Sequence, residues 1–194
     1  SNDPEADEQK GDHYGFQKFR VCTLHGDDVQ GHYTHWLNER FPDASSNRSS
    51  VNPEPDPRYT APQARKPRMP EEFYPTNYVA EMTLDYLEDY ARSKKEKPVF
   101  VQCSFPDPHH PFDCPEPWNL LHKPEDVDLP KFLEKDLDNR PWWHRRSLEG
   151  EPDLADPILK RFRKQGSRMP DQTEAQLREM TANYYGMISL IDHN

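Results

Sequence analysis

Two adjacent imidazoles set among prolines are the part of this sequence best equipped for chemistry. The run Ser104-Phe105-Pro106-Asp107-Pro108-His109-His110-Pro111-Phe112, followed by Cys114-Pro115 and Trp118, holds both rings on a backbone that proline restricts. Little conformational entropy remains to be lost when either ring meets a substrate. Neutral imidazole donates from one nitrogen, accepts at the other, and titrates near neutral pH. Those properties suit protonation of a departing oxygen. They also suit metal ligation, but neighbouring histidines in an extended loop tend to point apart and rarely hold one ion together. A structural or solvent-facing loop histidine is the plain alternative.

Three other groups carry weaker signals. His25, His32 and His35 lie close together, with the last two spaced by three as in some metal sites. Lacking cysteine or another converging ligand, they read more simply as surface or core histidines. Arg140, Trp142, Trp143, His144, Arg145 and Arg146 form a basic aromatic group. It suits an anionic, sugar-containing substrate through charge-assisted bonds and stacking, or equally a loop packed by its Trp pair with solvated arginines. Lys160, Arg161, Arg163 and Lys164 read as one exposed face.

The elements that must position these residues are few. Over 77–94, Val79, Met82, Tyr86, Leu87 and Tyr90 recur at helical spacing, with Arg92, Lys94 and Lys95 where a helix C-terminus favours cations. Pro98-Val99-Phe100-Val101-Gln102-Cys103-Ser104-Phe105 is a short apolar run suited to a strand buried on both faces. A helix followed at once by such a strand is half of a βαβ unit, so the fold class is α/β. The ligand crevice of an open α/β sheet lies beyond the carboxyl ends of its strands, where His109 and His110 then fall. A third segment opens at Asp171 with Glu174 three residues on, a capping-box-like pairing. Leu177, Met180, Tyr184, Met187 and Ile191 continue it as one apolar stripe on a helix of about twenty residues.

Core material is scarce. The 194 residues carry 25 Lys+Arg against 35 Asp+Glu, a net charge of −10, and only 32% are hydrophobic. Mean hydropathy is −1.17. The acidic balance argues against a nucleic-acid partner, which calls for a basic footprint. No apolar run approaches the roughly 20 residues of a membrane span, and no charged-then-apolar leader opens the chain. Cys22, Cys103 and Cys114 are too few, and odd in number, for a disulfide scaffold. They favour a cytoplasmic setting over a periplasmic or secreted one. Of 21 prolines, eight fall in 42–75 and eleven in 106–170. Both stretches, the first also with Ser45, Ser46, Ser49 and Ser50, read as long loops. Tyr59, Phe73, Tyr74, Trp118, Trp142 and Trp143 argue for ordered loops over a scaffold rather than disordered linkers.

The strand run and its Pro108-His109-His110-Pro111-Phe112 sequel resemble the sulfatase family of the alkaline phosphatase superfamily, where a core strand ends in Ser-Phe … Pro-His-x-Pro-Phe. His13-Tyr14-Gly15-Phe16-Gln17-Lys18-Phe19 is similar to the family's His-x-Gly-Phe-Asp-x-Phe stretch, with Gln17 in place of Asp. Tyr184-Tyr185-Gly186-Met187-Ile188-Ser189-Leu190-Ile191-Asp192 resembles its Tyr-Tyr-Ala/Gly-x-Ile-x-x-Leu-Asp helix. The three stretches occur in family order.

The resemblance implies a three-layer α/β/α domain with a largely parallel central sheet, of which residues 1–194 would be an internal fragment. It implies cleavage of a small-molecule or carbohydrate sulfate ester through a formylglycine nucleophile beside a divalent cation, most simply Ca²⁺. Cys22, Cys103 and Cys114 all miss the family's Cys/Ser-x-Pro/Ala-x-Arg motif, and no metal ligands map here. Asp27-Asp28 follows no hydrophobic strand and reads as a solvated turn. The catalytic position that maps is His109, expected to contact the sulfate and to supply a proton to the leaving alcohol. His110 falls on the family's variable position and is a candidate substrate contact, otherwise a loop residue. The chain alone is expected to be inactive. The alternatives are a phosphonate monoester or phosphodiester hydrolase of the same superfamily, and a noncatalytic binding segment in which His109 braces a loop.

Overall fold

The computed structural model describes residues 15–48, 54–93, 97–131, 138–142, 144, 157 and 172–194. Asp12, His13, Tyr14, Ser49, Ser50, Lys94, Lys95, Trp143, Arg145, Arg146, Lys160, Arg161, Arg163, Lys164 and Asp171 therefore lie outside the described residues. Within them the chain is mixed α/β. Its strands are β1 (Cys22–Thr23), β2 (Gln30–Gly31), β3 (Ala64–Arg65) and β4 (Phe112–Asp113). Its longer helices are α1 (His32–Arg40), α2 (Pro75–Arg92) and α3 (Glu174–His193). β1 and β2 pair antiparallel, and β3 and β4 pair parallel with Ala64 opposite Phe112 and Arg65 opposite Asp113.

Helix α1 starts where Gly31 turns the chain at φ +84°, a conformation that spares it the penalty of a side chain. A Cβ there would also run into the Val21 carbonyl. His32 closes this entry from both sides. Its backbone N–H donates to the Val21 carbonyl, and its Nδ1 accepts from the Val21 N–H, each at 3.1 Å. Helix α2 begins with Pro75 at its first position, where a missing N–H is harmless and φ is already helical. Helix α3 is closed by a capping box: the Thr173 hydroxyl accepts from the Gln176 N–H, and the Gln176 side chain accepts from the Thr173 N–H. The cap is thus Thr173, two residues beyond the expected start, because it is the Thr173–Gln176 spacing that satisfies both end donors.

The main core joins Val29, Tyr33, Trp36 and Leu37 to Met69, Tyr74, Tyr78, Val79 and Leu190. Burying one such side chain as fully as Leu37 contributes about 1.5–3 kcal/mol. It occupies only the first half of α2, so Leu84 and Leu87 farther along are exposed, and Leu87 leaves the expected stripe. Met180 and Met187 of the α3 stripe are buried as expected, whereas Tyr184 is 37% exposed. The buried face of α3 also carries two polar residues. Glu179 accepts from the Thr60 N–H, the Thr60 hydroxyl and the Ala61 N–H. Asn183 Nδ2 donates to the Arg65 and Phe112 carbonyls at 3.2 and 2.8 Å, clamping the parallel pair β3–β4.

The run 98–105 forms no strand, contrary to expectation. Phe100 is 75% exposed, and Gln102, Cys103 and Ser104 are exposed with it. A strand buried on both faces needs neighbours to take its backbone N–H and C=O groups. Each strand formed by the described residues is two residues long and already paired elsewhere. No described helix is long and apolar enough to cross a membrane.

Candidate functional site

His109 and His110 sit between two cis X–Pro bonds, Asp107–Pro108 and His110–Pro111. The loop carrying them is fastened at both ends by buried carboxyls. At one end Asp107, 4% exposed, accepts from the Thr76 hydroxyl at 2.8 Å, at the first turn of α2. Its second oxygen, Oδ1, is buried with no hydrogen-bond partner among the described residues. At the other end Asp113, fully buried on β4, pairs with Arg65 on β3. Burial pushes each carboxyl up to about 7, opposed at Asp107 by the Thr76 hydrogen bond and at Asp113 by the Arg65 charge. The Tyr74 hydroxyl, deeply buried, donates to the Asp113 carbonyl at 2.5 Å.

On this footing the imidazoles come together rather than point apart. His109 Nδ1 lies 2.5 Å from the His110 carbonyl oxygen. A carbonyl only accepts, so Nδ1 carries the proton and Nε2 is the nitrogen left for other chemistry. The His110 ring centroid is 4.2 Å from that of His109, tilted by 38°. His25 stacks nearly parallel to His109, with centroids 3.5 Å apart and planes 12° apart. His109 and His110 are both exposed, so this row of rings is open to solvent.

His25 reaches the stack from the turn that joins β1 and β2. Leu24 before it has φ +66° and Gly26 after it φ +61°. A Cβ on Gly26 would strike the Asp113 carboxylate, so the close approach of the turn to β4 requires glycine. Asp27, in the Gly26–Asp28 turn of 3₁₀ helix, is fully buried. The solvated-turn reading therefore fails at Asp27. Packing of this turn against β4 excludes water, and Arg48 Nη1 fixes it by donating to the Asp27 and Val29 carbonyls at 2.9 and 2.8 Å.

The histidine trio of the sequence does not converge. His32 is spent on Val21, His35 Nε2 meets Glu39 at 3.1 Å on an exposed surface, and only His25 joins the site. Arg140, Trp142 and His144 are exposed, Trp142 to 70%. No group of three or more His, Cys, Asp or Glu among the described residues could hold a metal ion. Cys22, Cys103 and Cys114 are free thiols, with Cys114 fully buried. The described residues therefore do not fit the divalent cation that the sequence resemblance implies, and none of the three cysteines stands in its formylglycine motif; no step through either group is derived for this chain. Pattern reading missed Asp107, Asp113 and Arg65 as supports of the loop. Only Asp107, enclosed in Pro-Asp-Pro, offered a local signal.

The described site is thus an exposed pair of imidazoles over two buried carboxyls, and comparisons with known proteins say what the chain is similar to. Two curated relatives bear names from the sulfatase and alkaline phosphatase superfamily. Over 123 residues, 63% of its length, the chain is 30% identical to an arylsulfatase of Clostridium perfringens (strain 13 / Type A), 21% of which is covered. Over 182 residues, 90% of its length, it is 26% identical to the multifunctional alkaline phosphatase superfamily protein PehA of Trinickia caryophylli, 32% of which is covered. The chain thus spans about a fifth to a third of the length of these relatives. No family model matches it.

Proposed function

We propose that this chain is an internal part of a sulfatase-like hydrolase that cleaves sulfate esters, in which His109 meets the sulfate group and its leaving oxygen. The observation that carries the reading is the His109 ring itself. It is exposed, braced on one face by His25, and held by the His110 carbonyl so that Nε2 alone is open. In the imidazolium form Nε2–H donates to a sulfate oxygen or to the leaving alcohol, offsetting charge as it develops there. His110, whose ring lies beside that of His109, is the second substrate contact. In the longer enzyme a divalent cation, Ca²⁺, and a formylglycine would come from residues outside this chain. The three-layer α/β/α domain with a largely parallel sheet is part of the same proposal.

A second reading has the substrate as a phosphonate monoester or phosphodiester. It draws on the similarity to PehA, a relative named as multifunctional that extends over 90% of the chain. Parallel assays of the full-length polypeptide on 4-nitrophenyl sulfate, phenyl phosphonate ester and phosphodiester substrates separate the two. A higher kcat/KM on the sulfate supports the first, and a higher value on a phosphorus ester replaces it with the second. The chain alone should release no 4-nitrophenol from the sulfate.

A further inference from the structure

We infer that His25 is the positioning partner of His109: its ring, stacked on one face of the His109 ring, fixes the plane in which His109 presents Nε2. The inference deepens the hydrolase reading and rests on it for any bearing on catalysis. The pairing itself is a property of the rings in this chain.

The geometry argues for a fixed pair. Planes 12° apart at a centroid distance of 3.5 Å are in full face-to-face contact. His25 is delivered to that position by a turn with two consecutive constraints on either side of it. Leu24 is held at a φ that non-glycine residues rarely adopt, while its side chain is 57% exposed and gains little burial in return. Gly26 is pressed against Asp113 so closely that a methyl group has no room. Backbone held this way at an exposed site keeps the ring where the stack needs it.

The hydrogen bonds differ between the two rings. His109 Nδ1–H donates to the His110 carbonyl, which sets the ring's tautomer and leaves Nε2 for other chemistry. His25 Nδ1 is buried with no partner among the described residues, so protonation would leave a buried N–H unsatisfied. Burial, and then the charge of His109, hold His25 below the ordinary histidine value. The other ionisable groups on the elements meeting here are Asp27 and Asp28 on the His25 turn, Asp107 and His110 on the loop, Asp113 on β4 and Arg65 on β3. Asp113 is paired with Arg65, and Asp107 accepts from Thr76. A neutral His25 face keeps the His109 ring in its plane while Nε2 meets an oxyanion.

Ring-resolved NMR titration of the chain tests this without any turnover. A nuclear Overhauser contact between the His25 and His109 ring protons is expected in the unaltered chain, and its absence overturns the pairing. His109→Phe keeps a flat ring over His25 but removes the charge. The His25 midpoint should then rise, because the His109 charge that holds it down is gone. An unchanged midpoint, in a variant with the circular dichroism of the unaltered chain, overturns the pairing. If these results hold while ester cleavage by the full-length protein ignores His109, the hydrolase reading alone falls.

Discussion

Arg65 grips Asp113 at two points across the parallel strands, Nε at 2.7 Å from Oδ1 and Nη2 at 3.1 Å from Oδ2. The two residues are register partners of β3 and β4, so the ion pair and the strand pairing reinforce one another. It lies under the turn that presents His25 and at the end of the loop that presents His109. The acidic floor of the site is thereby tied to the same small sheet that Asn183 of α3 clamps.

This floor makes stability depend on pH. Asp107 ordinarily titrates near 3.8, and burial raises it to about 7. A carboxyl whose value is higher folded than unfolded binds protons more tightly when folded. The stability it contributes is complete below about pH 4 and is lost as pH rises through about 7. Urea unfolding should therefore give a free energy lower at pH 8 than at pH 5 by a few kcal/mol. Asp107→Asn, which cannot ionise, should flatten that slope. An equal slope in the variant would contradict the assignment.

Gly186 of α3 should resist the usual benefit of alanine in a helix. That benefit is about 1 kcal/mol in a helix interior. A Cβ at 186, however, would lie 2.6 Å from the Trp118 carbonyl oxygen and 2.7 Å from Cys114 Sγ. Overpacking of this kind costs about 1–3 kcal/mol. Gly186→Ala should lower the midpoint of thermal unfolding, and a raised midpoint would show that the contact relaxes at no cost.

Leu24 should respond in the opposite sense. Its positive φ costs about 1–2 kcal/mol for a residue with a side chain. Leu24→Gly removes that cost at an exposed position, against a smaller loss from the freer unfolded backbone. The expected net gain is about 0.5–1 kcal/mol in chemical denaturation. A loss of stability would mean that the Leu24 side chain, not the backbone, secures the turn.

How much of this could be read from sequence depended on whether the signal was local. The helices were legible because apolar residues repeat at their own period, as Met180 and Met187 do on α3. Even there the cap moved from Asp171 to Thr173, since Asp171–Glu174 and Thr173–Gln176 share the same three-residue spacing and only the hydrogen bonds of the fold choose between them. The run 98–105 misled because apolar β-branched residues report an affinity for burial and not the presence of neighbours to pair with. Asp27 misled for the reverse reason, since a charged residue in a turn reads as solvated until the turn is seen against β4. The Arg65–Asp113 pair joins positions 48 residues apart, and nothing near either one announces the other. His25 was visible only as one of three clustered histidines. Its stack on His109 arises from tertiary approach alone.

The central claim is that the open Nε2 of His109 acts on the ester, and the direct measurement is kcat/KM of the full-length protein for 4-nitrophenyl sulfate before and after His109→Ala. Loss of the positioned donor predicts a fall of roughly 10²-fold or more, in a variant whose circular dichroism is unchanged. A folded variant that cleaves the ester at the original rate would contradict the account.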